Sequence, residues 1–110
     1  MFEIKDLSEY MSQLMSKDNS DKLIIAYFTA TWCGPCKMIA PLMYEIDEQN
    51  DHIIVMKVDV DECEEVSAQC DIECMPTFLF YQNNEIEPFN KFSGADPQKL
   101  VTTINNILNQ

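Results

Sequence analysis

The order of the residues predicts an α/β chain, a central mixed β-sheet of about five strands flanked by about four helices. Three observations carry this reading. The apolar run Leu23–Phe28 alternates too little for a half-exposed strand, so it belongs inside a sheet covered on two faces, and Ile53–Val58 reads as a further strand, buried except at Lys57. Between and around them lie segments whose apolar residues recur at helical spacing. Near the end, Phe78–Tyr81 and Ile86–Phe92 flank Asn83-Asn84, residues that tolerate positive φ, as a hairpin requires. With 110 residues, 46% of them apolar, the chain has the size of one domain and can fill a modest core. No repeat, low-complexity run or linker divides it.

Taken in order, Phe2–Lys5 reads as a short first strand. Asp6 then caps a helix, with Glu9 three residues on in a capping-box pattern. Leu7, Tyr10, Met11, Leu14 and Met15 form its apolar stripe, the methionines serving as core filler. A polar turn, Lys17–Asp21, leads into Leu23–Phe28. A second helix runs from about Cys33 to Gln49, with Met38, Ile39, Leu42, Met43 and Ile46 as its apolar positions and Pro41 as an internal kink. Asn50-Asp51-His52 is a loop, and His52 a surface residue. After Ile53–Val58, Asp59 or Asp61 opens a short helix through Cys70. The last helix takes Asp96 as cap and Pro97 as its first residue, with Leu100, Val101, Ile104, Ile107 and Leu108 as its stripe.

The chemistry sits where the Leu23–Phe28 strand meets the second helix, in Ala30-Thr31-Trp32-Cys33-Gly34-Pro35-Cys36-Lys37. Two cysteines separated by two residues at such a junction suit reversible disulfide exchange. Unpaired backbone N–H groups and the positive helix end favour a thiolate at Cys33. Cys36 lies one turn further in, shielded but close enough to attack a mixed disulfide. Gly34 permits close backbone approach, and Pro35 stands where a missing N–H costs nothing.

Composition narrows the partners. A net charge of −12 argues against nucleic acid, whose backbone would repel such a surface, and reads as solubility or as steering towards basic docking faces. Met1-Phe2-Glu3-Ile4-Lys5 has neither the basic nor the apolar region of a signal peptide, and no apolar run reaches membrane-span length. Five cysteines cannot all pair within one chain. A reducing cytosol is therefore the expected compartment, with the nucleus as a second.

Trp32-Cys33-Gly34-Pro35-Cys36-Lys37, Pro41, Met75-Pro76-Thr77 and Phe92-Ser93-Gly94-Ala95 together resemble the thioredoxin family over nearly the whole chain. Cys63, Cys70 and Cys74 fall where animal cytosolic thioredoxins carry extra cysteines. The resemblance implies the thioredoxin fold and a monomeric protein-disulfide reductase without bound cofactor or metal. Cys33 attacks a client disulfide, Cys36 releases the reduced client, and thioredoxin reductase reopens the Cys33–Cys36 disulfide at the expense of NADPH. Peroxiredoxins, ribonucleotide reductase and methionine sulfoxide reductase are the implied clients. Trp32, Val60, Met75, Pro76, Gly94 and Ala95 are the implied docking surface, with a cis peptide before Pro76. Oxidising members of the fold commonly carry a histidine between the cysteines, where this chain has Gly34-Pro35.

One position departs from the family. Where thioredoxins usually bury an aspartate that helps move the second cysteine's proton, this chain has Tyr27. A phenol titrating near pH ~10 is a poor base at neutral pH. Lys57, Asp59 and water are the candidate replacements. The extra cysteines read either as inert core residues or as regulatory ones. In a regular helix Cys63 and Cys70 stand about 10 Å apart, beyond the roughly 7 Å a disulfide allows, so pairing them requires unwinding. Cys74, beside the implied docking surface, is the expected site of a disulfide-linked dimer on oxidation.

Two other readings compete. A zinc site could draw four thiolates from Cys33, Cys36, Cys63, Cys70 and Cys74, but the second set has spacings of seven and four, unlike a zinc knuckle. A binding module gated by redox state needs no residue that the chain lacks.

Overall fold

A computed structural model describes residues 1–109. Its elements are β1 (Phe2–Glu3), α1 (Leu7–Met15), β2 (Leu23–Thr29), α2 (Gly34–Gln49), β3 (Ile53–Asp59), α3 (Glu64–Gln69), β4 (Thr77–Tyr81), β5 (Asn90–Ser93) and α4 (Pro97–Leu108), with a 3₁₀ turn at Lys17–Asn19. The five strands form one sheet in the order β1-β3-β2-β4-β5. β1, β3 and β2 pair in parallel, while β4 is antiparallel to both β2 and β5, so the sheet is mixed as expected.

β2 is the middle strand, and every residue in it is buried. Its period of two divides the core. Leu23, Ile25 and Tyr27 face α2 and α4, where they meet Ile39, Met43, Ile46, Leu100 and Ile104. Ile24, Ala26 and Phe28 face α1 and α3, where they meet Tyr10, Leu14 and Val66. Each large side chain so buried contributes about 1.5–3 kcal/mol. These two layers explain the unbroken apolar run.

The caps follow the sequence closely. Asp6 Oδ1 accepts from the Glu9 N–H at 2.8 Å, and Asp96 Oδ1 from the Lys99 N–H at 3.0 Å. Glu9 reaches back to the Lys5 N–H, one residue beyond the usual capping-box partner. Asn83 and Asn84 both adopt positive φ. The Asn84 amide also donates to the carbonyls of Leu14 and Ser16, satisfying groups that the end of α1 leaves unpaired.

Several boundaries differ from the sequence reading. β1 stops at Glu3, because only Phe2 and Glu3 pair with β3. The hairpin's second strand is Asn90–Ser93, and Ile86–Phe89 forms a wider connection with exposed side chains. α3 starts at Glu64, since Asp59 instead uses Oδ1 to hold the N–H groups of Asp61 and Glu62 in a turn. Met15, Met38, Val101 and Leu108 are exposed, because the helices bury a narrower stripe than the pattern allowed. His52 is exposed, as expected. No helix among the described residues is long and apolar enough to cross a membrane.

Candidate active site

Cys33 is the N-cap of α2, at the point where β2 ends and its chain turns into the helix. Cys33 and Cys36 form a disulfide with Cα atoms 5.3 Å apart. The Cys36 N–H donates to Cys33 Sγ at 3.1 Å, so the helix's first turn directs a backbone dipole at that sulfur. Pro35 occupies the first turn, where no intrahelical donor is missed. In this oxidised state both cysteines are buried, Cys33 at 5% exposure and Cys36 at 1%. Cys33 is the more accessible of the two.

Around the disulfide, Val60 and Met75 pack on the cluster of Ala30, Cys33 and Cys36. The Met75–Pro76 peptide is cis, and the Gly94 N–H donates to the Pro76 carbonyl at 2.9 Å. Gly94 has φ +107°, a conformation that favours glycine. Trp32 is 65% exposed beside the pair, and its Nε1–H donates to Asp61 Oδ2 at 2.8 Å. Asp61 entered the sequence reading only as a helix start. Nothing in the spacing announces its contact with Trp32, which depends on how the β3–α3 turn folds.

Tyr27 lies behind the disulfide. Its hydroxyl donates to the Cys36 carbonyl oxygen at 2.9 Å, and its ring stacks on Phe78 with centroids 5.6 Å apart. Burial pushes the phenol's pKa up, against the opposing influence of Thr29 and Lys57. Lys57 stands opposite Tyr27 in the sheet register, and Asp59 opposite Thr29. Lys57 Nζ lies 3.6 Å from the Glu3 carboxylate.

The remaining cysteines sit elsewhere. Cys63 is buried and donates to the Ile4 carbonyl at 3.1 Å, while Cys70 Sγ lies 3.7 Å from the Tyr10 hydroxyl. Burial raises the pKa of both thiols. They flank α3, on the sheet face opposite α2, so the cysteines do not converge on one point as a zinc site requires. Cys74 is exposed. Sequence reasoning missed the hydroxyl pair beside Cys70, Tyr10 and Tyr81 at 2.7 Å, because the two residues are brought together only by packing α1 on β4.

The thioredoxin family model matches residues 3–106. The chain belongs to the thioredoxin family. It is 41% identical to the thioredoxin of Ovis aries over 101 residues, covering 92% of this chain and 94% of that protein. It is 44% identical to the thioredoxin of Homo sapiens over 88 residues, 80% of this chain and 82% of that one. Among solved structures, Fasciola hepatica thioredoxin superposes with a TM-score of 0.88 at 33% identity, covering 96% of this chain and 98% of that one. A thioredoxin with a redox disulfide at this junction is a thiol–disulfide oxidoreductase, and its activity is protein-disulfide reduction.

Proposed function

We propose that this thioredoxin reduces client proteins by a two-step exchange in which Cys33 attacks and Cys36 resolves. The observation that carries the assignment is the 3.1 Å contact from the Cys36 N–H to Cys33 Sγ. In the reduced protein the same donor and the helix dipole favour a thiolate at Cys33. That thiolate displaces one sulfur of the client disulfide, which leaves as a thiolate. Cys36 loses its proton and attacks Cys33 Sγ, breaking the bond to the client and closing the Cys33–Cys36 disulfide. Two electrons have then passed to the client.

Trp32, Val60, Met75, Pro76, Gly94 and Ala95 serve as the surface on which client backbone docks. Gly34 and Lys37 complete the active-site turn. Electrons return from NADPH through thioredoxin reductase, and the clients include peroxiredoxins, ribonucleotide reductase and methionine sulfoxide reductase. The protein works as a monomer in the cytosol and nucleus. Peroxide joins two copies through exposed Cys74, two thiols giving one disulfide and water. A peroxide-treated Cys74→Ser variant that still ran as a disulfide dimer on a non-reducing gel would rule out that link.

The test of the function is NADPH-coupled reduction of insulin disulfides with thioredoxin reductase present. Turnover that is lost in Cys33→Ser and Cys36→Ser is expected. A protein inert in this assay, yet able to bind partners in its reduced form only, would instead be a redox-gated binding module.

A further inference from the structure

Cys36 is 1% exposed in the disulfide form, so its thiol, whose proton must leave before it can attack, meets little bulk water directly. Behind it lies a cavity of about 300 Å³, between α2 and the ends of β2 and β3. One water needs only roughly 10–15 Å³ of such space. Resting on the two-step exchange proposed above, we infer that Asp59 receives the Cys36 proton through water held in this cavity.

The sheet register puts the group there. Period-two alternation turns Tyr27 and Thr29 of β2, and Lys57 and Asp59 of β3, towards the face that carries α2. All four line the cavity with Cys36. Asp59 is the only carboxylate among its lining residues. The Tyr27 hydroxyl donates to the Cys36 carbonyl, and burial makes it harder to ionise. Lys37 and Lys57 are hydrogen-bond donors that offer no acceptor lone pair. Met1 also lines the cavity, and its ammonium is held by Asp47 at 2.6 Å.

Asp59 is built for the task. Its Oδ1 accepts from Asp61 N–H at 2.9 Å and Glu62 N–H at 3.3 Å, which fixes the carboxylate, while Oδ2 has no partner among the described residues. On the cavity side it shares the lining with Lys57, Lys37, Tyr27 and Met1. On its other side stand Glu3, Lys5 and Glu62. As the Cys36 sulfur bonds to Cys33, its proton passes to the bridging water and that water's proton to Asp59 Oδ2. The client leaves as a thiolate and regains a proton from solvent or from Asp59 by the reverse path. Asp59 is therefore a positioning and proton-accepting residue that acts through water.

Stopped-flow mixing of the reduced protein with excess dithiobis(nitrobenzoate), in a Cys74→Ser background throughout, separates the two steps. Attack by Cys33 depends on reagent concentration, and closure by Cys36 does not. Asp59→Asn keeps the turn but loses the base. It should leave the first phase unchanged and slow the second at neutral pH by roughly 10²-fold, a typical share for acid–base catalysis. The second phase should return to the parent rate as pH rises past the thiol's own ionisation. Equal closure rates in parent and Asp59→Asn at every pH would overturn the inference, as would slow closure that alkali does not restore. If the asparagine variant does not fold, Asp59→Ser, whose hydroxyl also holds such turns, takes its place. A parent with no closure phase would overturn the reductase mechanism itself, and the inference with it.

Discussion

The Tyr27 hydroxyl donates a hydrogen bond of 2.9 Å to the backbone carbonyl of Cys36, at the position where thioredoxins usually bury an aspartate. The bond ties the middle strand to the active-site helix through the resolving cysteine. Tyr27→Phe leaves that carbonyl without its side-chain partner and should cost about 1 kcal/mol, which lowers the melting temperature by roughly 4–8 °C. Tyr27→Asp also removes a ring stacked on Phe78 and buries a carboxyl, so it should cost more than ~1 kcal/mol. The same change gives Cys36 a nearer base and should speed closure of the disulfide. Melts of the oxidised proteins and the concentration-independent closure rate check the two halves. A Tyr27→Asp protein as stable as the parent and no faster would contradict both.

Cys33→Ser should abolish attack on client disulfides. Cys36→Ser should accumulate mixed disulfides through Cys33, visible by mass spectrometry after acid quenching. Limiting iodoacetamide at neutral pH should alkylate Cys33 before Cys36 in the reduced protein, because the helix terminus favours the Cys33 thiolate. The opposite order would reverse the roles.

Asp61 holds the exposed Trp32 indole by one hydrogen bond. Asp61→Ala should change stability by no more than about 0.5 kcal/mol, as surface substitutions do. It should raise the KM for insulin several-fold with little change in kcat, because a freed indole must be ordered again on docking. Trp32 fluorescence anisotropy should fall in parallel. An unchanged KM and anisotropy would mean that the bond positions nothing.

Cys63, Cys70, Tyr10, Tyr27 and Tyr81 all have pKa values raised, each chiefly by burial. Each therefore binds its proton more tightly when folded. Their stabilisation is fully present below the unfolded values, about 8.5 for thiols and about 10 for phenols, and is lost as pH rises through the folded values. Stability should be flat near neutral pH and fall steeply in alkali. Tyr81→Phe, which keeps the ring and loses the acid, should soften that fall in chemical denaturation across the alkaline range. An identical alkaline slope in parent and variant would exclude Tyr81 from it.

The local code of this chain is legible in its sequence. Asp6, Asp96 and Pro97 mark helix starts because caps act through neighbours a few residues away. Leu23–Phe28 declares a central strand because burial on both faces removes alternation. The Cys33–Cys36 spacing declares its chemistry because one helical turn brings the two sulfurs together. Helix stripes were read too wide at Met15, Met38, Val101 and Leu108, since periodicity reports an apolar face but not how much of it a neighbour covers.

What only the tertiary structure decided lies between elements distant in sequence. Tyr10 meets Tyr81, Cys63 meets Ile4, and Asn84 closes the end of α1, each across more than half the chain. The cavity behind Cys36 likewise exists only once β2 and β3 are paired in register beneath α2. Sequence named Lys57 and Asp59 together as replacements for the missing base. Pairing of β2 with β3 sets both beside the cavity, which the sequence could not show; of the two only Asp59 is an acceptor, and its Oδ2 has no partner among the described residues.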